Sequence, residues 1–434
     1  MLRIHAVGGY NEVGKNMTCI EIDNEAILLD MGLYMDRFVA VQEKNVEMNK
    51  EALLAEDAIP NDESIKNIKR KIKAILITHA HLDHIGAIKW IGESYRCPII
   101  TTPYTAEVIK RYAKNVKRLV AVNVNSSYKV SKNIEVEFIN VTHSVPQSSI
   151  LNIKTKYGSI VYALDYKNDN HPTLGRKTNI KKLKKLEDVV LLIADSTNAD
   201  EERKTFSEYI AKEMLHDIIM GMEVGNQGLF ITTFSSHIAR LKSILHISKL
   251  LGRKPVFIGR SLHDYIASAE NLKLVAFSKD AEIIKNANRA EKKLRIMNKN
   301  KEEYVFIVTG SMGEKNAVLT RIVNDELELK IEAHDFVIFS CEIIPTPTIQ
   351  ANRQILEQKL HRKKARIFKD IHVSGHASRE DLRDLIKILQ PRHILPAHGD
   401  LAKTASLAAL AGEMDYELGK DVHILQNGQS MKLA

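Results

Sequence analysis

Along the first 35 residues apolar and polar positions alternate with a period of two in LRIHAV, MTCIEI and EAILLD, which GGYNEVGKN and Asp23-Asn24 separate. Successive side chains of a strand point to opposite faces, so this period predicts strands joined by turns. Residues 36–71 lose the alternation and read as helical or irregular. AILIT at 74–78 is then a short continuous apolar run, as in a strand buried on both faces. Further strands are expected at 99–101, 119–123, 134–141, 151–155, 159–164 and 189–194. After about residue 205 the texture changes to strand runs separated by long helical patterns. Helix 206–223, strand GLFITTF, helix 237–251, strand PVFIG, helices across 262–295, strand YVFIVTG, a helix near 316–324 and strand DFVIFS form a βαβ series. That series implies a parallel sheet covered by helices. From about 365 the pattern adds strand RIFKDIHV, a helix opened by Ser378 with Asp381 as a capping box, strand HILP, another helix and strand VHIL.

Composition narrows the class. With 44% hydrophobic and 27% charged residues the chain of 434 is too apolar for long-range disorder. No run approaches the ~18 apolar residues of a membrane span, and the start has no basic-then-apolar leader, so a soluble cytoplasmic protein is expected. At ~150 residues per domain the length suggests two or three domains. Cys19, Cys97 and Cys341 are odd in number and far apart, so they are expected as buried thiols, with neither a disulfide framework nor a cysteine zinc site. Lys and Arg (63) exceed Asp and Glu (54), and the net charge of +9 suits a polyanionic partner. Residues 285–301 hold seven basic residues against Glu291 alone, while 176–185 and 359–369 hold six each and no acid. Taken singly, each run reads as a solvated helix face. Few aromatics lie near them, which argues against base stacking.

The chemistry gathers directly after AILIT, at His79-Ala80-His81-Leu82-Asp83-His84. A shuffled chain of this composition would show HxHxDH with a probability on the order of 0.1%, so the spacing is specific. Two histidines one residue apart at a strand end can reach one ion at ~2.0–2.1 Å. Asp83 and His84, beyond a turn, would face another, and a pair of ions ~3.5–4 Å apart suits hydrolysis. Further ligands are expected at strand ends: His143 after EVEFINVT, Asp165 after SIVYAL, Asp195 after VVLLIA, His376 in HVSGHAS and His398 after HILPA. Asp30, ending AILLD, reads equally as an orienting carboxylate or a turn residue. GYNEVGKN nearly spells a phosphate-binding loop, but Asn16 replaces the hydroxyl and a strand pattern follows where a helix is required. Ser235, Ser236 and His237 lack a nucleophile elbow and read better as a phosphate-contacting loop at a helix N-terminus.

Taken in order, GGYNEVGKN, THAHLDHIGA, VTHSVPQS, ALDYK, ADSTN, TTFSSHIAR, GRS, TGSMGE, HVSGHASRED and PAHGD resemble the β-CASP branch of the metallo-β-lactamase fold, most closely the archaeal type of the ribonuclease J family. HxHxDH alone is shared with many hydrolases of that fold; the ADSTN, HVSGH and PAHGD trio around an inserted α/β region selects the branch that cuts nucleic acid. The resemblance implies an α/β protein, an αββα metallo-β-lactamase sandwich with an inserted β-CASP domain. Its expected domains are 1–205, 206–360 and 361–434, the first and last forming one unit. It implies one zinc on His79, His81, His143 and Asp165, and a second on Asp83, His84, the bridging Asp165 and His398. Manganese is the main rival metal. By the same resemblance Asp195, His376 and Asp83 are catalytic. The backbone of His372, Val373, Ser374, Gly375 and His376 would hold substrate phosphate. Ser235, Ser236, His237, Arg260 and Ser261 would take a 5′ monophosphate.

The implied function is a zinc-dependent ribonuclease of RNA decay and maturation, with 5′ to 3′ exonuclease activity favouring 5′-monophosphate ends. RNA is the expected partner, a homo-dimer is allowed and no membrane is involved; the basic runs are expected to border the RNA path. A β-CASP endonuclease on RNA or DNA, a non-catalytic RNA-processing scaffold and a thioester hydrolase compete with it. The intact ligand positions argue against the scaffold, and the inserted βαβ region against the thioesterase. The chain as given stops soon after VHIL, where bacterial members continue, and starts without the RNA-binding extension of the archaeal cleavage-factor-like branch.

Overall fold

The computed structural model describes residues 1–44 and 47–434. The chain divides into two compact units, one of residues 1–170, 176–205 and 375–434, the other of 171–175 and 206–374.

The first unit contains a seven-stranded and a six-stranded sheet. In the former, Met17–Ile22 lies antiparallel between Leu2–Gly8 and Glu25–Leu29. Ile72–Leu76, Ile99–Thr101 and Leu119–Ala121 then continue in parallel. In the latter, His393–Ala397, Val189–Asp195 and Gly158–Ala163 run parallel, followed by antiparallel Ser149–Thr155, Glu135–Asn140 and Ser126–Lys129. Alternation along one strand explains the layers. Ile160, Tyr162 and Leu164 enter a core shared with Ile20, Leu29 and Leu76 of the other sheet. Val161 and Ala163, pointing the opposite way, pack with Leu382, Leu385, Ile386 and Leu389 on one stripe of the helix Arg379–Leu389. Both faces are thus buried, which is why these strands read as continuous apolar runs. Each fully buried Leu or Ile side chain contributes about 1.5–3 kcal/mol. On the first sheet, Cys19, Leu28, Ile75 and Ile77 are buried on the other face.

The second unit holds one wholly parallel sheet in the order Glu282–Ile284, Lys254–Ile258, Tyr304–Val308, Leu229–Thr232, Phe336–Phe339, Arg366–Phe368.

Several elements differ from expectation. Arg366–Phe368 pairs with Phe336–Phe339, so it completes the inserted sheet instead of opening the returning segment. The chain accordingly rejoins the first unit at Gly375, where 361 was expected. Glu282–Ile284 interrupts the helical stretch 262–295, being three residues long and visible only through its parallel partner. The helix Pro347–Arg362, for which the sequence pattern carried no expectation, opens on a proline, which at a first helical turn lacks no needed hydrogen bond. VHIL makes only isolated bridges, from Val422 to Ile394 and to Leu418, and the last strand is Ser430–Lys432 beside Leu2–Gly8. Ser378 does not cap with its side chain; its hydroxyl donates to Glu201 Oε2 at 3.1 Å. Cys19 and Cys341 are buried as expected, whereas Cys97 is only partly so. Among the described residues no helix is long and apolar enough to cross a membrane.

Candidate metal centre

Strand geometry delivers the chemistry to one edge of the first unit. His79 follows Ile72–Leu76, His143 follows Glu135–Asn140, Asp165 follows Gly158–Ala163, Asp195 ends Val189–Asp195 and His398 follows His393–Ala397. Asp30, Asp165 and His398 take left-handed backbone angles, with φ of 58°, 44° and 56°. Non-glycine residues adopt that region at a cost, and such strain collects where side chains must be aimed.

Two donor sets result. The ligand atoms of His79, His81, His143 and Asp165 all lie within 4.8 Å of one another, as do those of Asp83, His84, Asp165 and His398. In the first, His81 Nδ1 is 3.1 Å from His79 Nε2 and 3.0 Å from His143 Nε2, and Asp165 Oδ2 is 3.4 and 3.5 Å from those two Nε2 atoms. In the second, Asp165 Oδ1 is 3.0 Å from His84 Nε2 and 3.4 Å from His398 Nε2, while Asp83 Oδ2 is 3.5 and 3.7 Å from them. A tetrahedron with ~2.0–2.1 Å metal bonds has donor edges of roughly 3.3 Å, so both sets fit a divalent ion. The two oxygens of Asp165 are shared out, one to each set.

The surrounding hydrogen bonds aim lone pairs inward. His143 Nδ1 donates to the carbonyl of Gly375 at 2.8 Å, which can only accept, so Nε2 is the unprotonated nitrogen. His84 Nδ1 donates to Asp30 Oδ2 at 2.7 Å. Asp30 Oδ1 in turn accepts from Thr78 N at 2.9 Å, so this carboxylate is at once orienting group and strand-end anchor. Asp165 Oδ1 and His398 Nε2 are buried without a hydrogen-bond partner. A buried polar atom left so costs about 1–3 kcal/mol, a penalty a bound cation removes. In the first set titration favours the same state. Burial and the neighbouring His84 push His79 down to about 4 despite Asp165. His143 falls well below its ordinary value through burial and the adjacent His81 and His79. Asp165, which burial would raise, is held far below the carboxylate range by His84, His398, His376 and His79. Neutral His79 and His143 beside an ionised Asp165 suit a divalent ion, whereas His84 is raised well above its ordinary value by Asp165, Asp83 and Asp30 against burial and must give up that proton when an ion binds.

Beside these sets His376 Nδ1 lies 2.8 Å from Asp195 Oδ2, and His376 Nε2 lies 3.8 Å from Asp165 Oδ2. Burial disfavours its cation, but Asp165 and Asp195 outweigh that and raise it to about 9. Asp195 is itself fixed, Oδ1 accepting from Thr197 N at 2.9 Å and Thr197 Oγ1 at 2.7 Å.

The remaining expected positions fall in both units. Gly375 and His376 belong to the first unit, His372, Val373 and Ser374 to the second. Within the second unit Ser235 Oγ and Ser261 Oγ are 2.9 Å apart, and Arg260 begins the helix Arg260–Asn271. Ser236 is buried. His237 is also buried and faces Glu208 Oε2 at 3.4 Å. Glu208 is held ionised by Arg240, with Oε1–Nε at 2.5 Å and Oε2–Nη2 at 2.9 Å. Thr78, Thr197 and Glu208 went unnoticed from sequence and Asn16 was read only as a departure from a phosphate-binding loop; except for Thr197, which holds Asp195, their roles involve partners distant in the chain.

Comparison with known proteins agrees with this layout. Residues 10–163 match the metallo-β-lactamase superfamily, 226–358 the ribonuclease J β-CASP domain and 361–425 the zinc-dependent metallo-hydrolase RNA specificity domain. The chain is 42% identical to Ribonuclease J of Methanocaldococcus jannaschii over 440 residues, covering 99% of this chain and 98% of that one. It is also 42% identical to Ribonuclease J of Pyrococcus abyssi, covering 100% of this chain and 97% of that one. Ribonuclease J2 of Bacillus subtilis is 28% identical, covering 98% of this chain and 74% of that one. A crystal structure of a protein of unknown function from Enterococcus faecalis V583 shares the fold, with a TM-score of 0.67 at 17% identity and 99% coverage of each chain.

Proposed function

This chain belongs to the ribonuclease J family, and from that premise we propose that it hydrolyses RNA phosphodiesters at the His/Asp centre, working 5′ to 3′ from monophosphorylated ends in RNA decay and maturation. The observation that carries the chemistry is the division of Asp165 between two inward-facing donor sets. We assign His79, His81, His143 and Asp165 to one zinc ion and Asp83, His84, Asp165 and His398 to a second, with manganese as the alternative occupant. When bound, such ions make water acidic enough to attack at neutral pH and offset charge on phosphoryl oxygens. Asp83, kept ionised by His84 against the effect of burial, takes up the proton released as water attacks phosphorus. His376, charged at neutral pH and aimed by Asp195, stabilises the anionic phosphate and gives its Nε2 proton to the departing ribose oxygen. Ser235, Ser261 and Arg260 supply a hydroxyl pair and a guanidinium fork for a terminal phosphate, and His237, turned to Glu208, positions that loop. The cytoplasm as place of action belongs to the same proposal.

The deciding assay uses RNAs of one sequence, labelled at the 3′ end and carrying 5′ monophosphate, hydroxyl or triphosphate. Stepwise shortening from the 5′ end, fastest for the monophosphate, is expected. One fixed internal cut in all three, without mononucleotide release, would make the enzyme an endonuclease.

The basic runs differ in how many charges remain for RNA. In 285–301, Lys285, Lys293, Arg295 and Lys301 each pair with an acid. Among the described residues, only Lys182 of 176–185 has such a pair, with Glu137, while Arg176, Lys177, Lys181, Lys184 and Lys185 are exposed. Asn140 Nδ2 donates to Lys177 O at 3.0 Å, and Thr142 N donates to Thr178 Oγ1 at 3.0 Å, tying this segment to the residues before His143. Changing Lys177, Lys181 and Lys184 to Ala is therefore expected to weaken RNA binding more than changing Lys292, Lys293 and Arg295. Each lost phosphate contact should flatten the log–log salt dependence by about 0.7. Binding isotherms at several salt concentrations check this, and equal affinities for the two triple variants would refute the ranking.

A further inference from the structure

The loop from Gly9 to Asn16, which mimics a nucleotide-binding motif without its hydroxyl, has no part in the function above, yet it wraps the second donor set. His398 N donates to Gly9 O at 2.6 Å. Asn16 donates twice to the carbonyl of Asp83, from its backbone N and from Nδ2, each at 3.1 Å. Its Oδ1 lies 2.8 Å from His398 Nδ1, and Nδ2 lies 3.1 Å from His84 Nε2. One buried amide therefore touches three of the four residues Asp83, His84, Asp165 and His398.

The contacts also fix a direction. A peptide carbonyl only accepts, so the amide atom against Asp83 O is the NH2 group and the oxygen faces His398. Nδ1 of His398 is then the protonated nitrogen, and Nε2, which has no hydrogen-bond partner, aims its lone pair into the donor set. Gly14 N also lies near Nδ1, at a longer 3.3 Å. The space is shaped for this amide. A Cβ at Gly9, whose φ is +87°, would fall 2.5 Å from Asn16 Oδ1, and one at Gly32 would fall 2.9 Å from Asn16 N. The first set is oriented by other groups, Thr78, Ser144 and the Gly375 carbonyl.

We propose that Asn16 is a positioning residue for the second metal subsite, setting the ring and tautomer of His398 and coupling it to Asp83. This rests on the two-metal assignment above. The test is zinc titration of the metal-stripped full chain, followed by calorimetry. Asn16→Ala is expected to weaken one of two sites by ~10–100-fold and leave the other unchanged. Asn16→Asp, which keeps an oxygen against His398 Nδ1, is expected to lose less. Unchanged affinities in Asn16→Ala, or equal weakening of both sites, would overturn the proposal. So would equal losses in the two variants. Should Asn16→Ala not fold, nitrogen-15 spectra of His-labelled, zinc-loaded unaltered chain decide: a protonated His398 Nδ1 supports the proposal and a protonated Nε2 overturns it. An unaltered chain that takes up fewer than two zinc ions would instead refute the two-metal assignment, and this inference with it.

Discussion

Asp165→Asn is expected to disable both halves of the centre at once and to lower kcat/KM on RNA by at least about 10³-fold, ~4 kcal/mol in the barrier. The carboxylate gives Oδ2 to the His79, His81 and His143 set and Oδ1 to the Asp83, His84 and His398 set. An amide has one oxygen and no charge, so it can serve at most one set, and it presents an N–H to ring nitrogens that must keep their lone pairs. Metal affinity should fall at both sites, because each then relies on neutral imidazoles with little or no carboxylate. His81→Ala provides the contrast. His81 belongs only to the first set, so its loss should weaken one site and leave the other near its original affinity. Metal content by mass spectrometry beside turnover separates the cases. Two retained ions and more than a tenth of wild-type turnover in Asp165→Asn would exclude the shared carboxylate.

The centre was legible in the sequence because each ligand directly follows an apolar run. A parallel strand buried on both faces leaves a plain signal, and the polar residue just past its end has few structural reasons to be there. His79, Asp165, Asp195 and His398 were found in this way. Residues whose meaning depends on strand register were named at most without a settled role, as with Asp30, which read equally as an orienting carboxylate or a turn residue. Asp30 reaches Thr78 and His84 because Glu25–Leu29 lies beside Ile72–Leu76, a pairing across more than forty residues. Asn16 meets His398 across almost the whole chain. Short or polar elements failed for a different reason. Glu282–Ile284 and Ser430–Lys432 have three residues each, too few to show a period, and they exist because a neighbouring strand offers its edge. The compact unit resumes at Gly375, where 361 was expected, because Arg366–Phe368 joins the inserted sheet and composition cannot say which sheet a strand joins.

Asp195→Asn should spare metal binding and instead move the alkaline limb of the pH profile. In the native chain His376 carries its charge up to about 9, because Asp165 and Asp195 outweigh burial. A group whose charged form is required, and whose pKa is raised, supports activity below that pKa and loses it as pH rises through it. Removing the Asp195 charge leaves burial less opposed, so the limb must shift to lower pH. The hydrogen bonds point the same way. Thr197 N and Oγ1 both donate to Oδ1 of residue 195, and an Asn would keep its oxygen there. Its NH2 group would then face His376 Nδ1 and force that nitrogen to accept, leaving the ring neutral with its proton on Nε2. Geometry survives while the cation is lost, so hydrolysis near pH 8 should fall by about 10²-fold, the lower range for a positioned acid. Two further readouts make the assignment specific. Zinc content should equal that of the unaltered chain, and an RNA whose scissile 3′ oxygen is replaced by sulfur, which leaves without needing a proton, should restore most of the rate. An unmoved alkaline limb would mean that the titrating acid is some group other than His376.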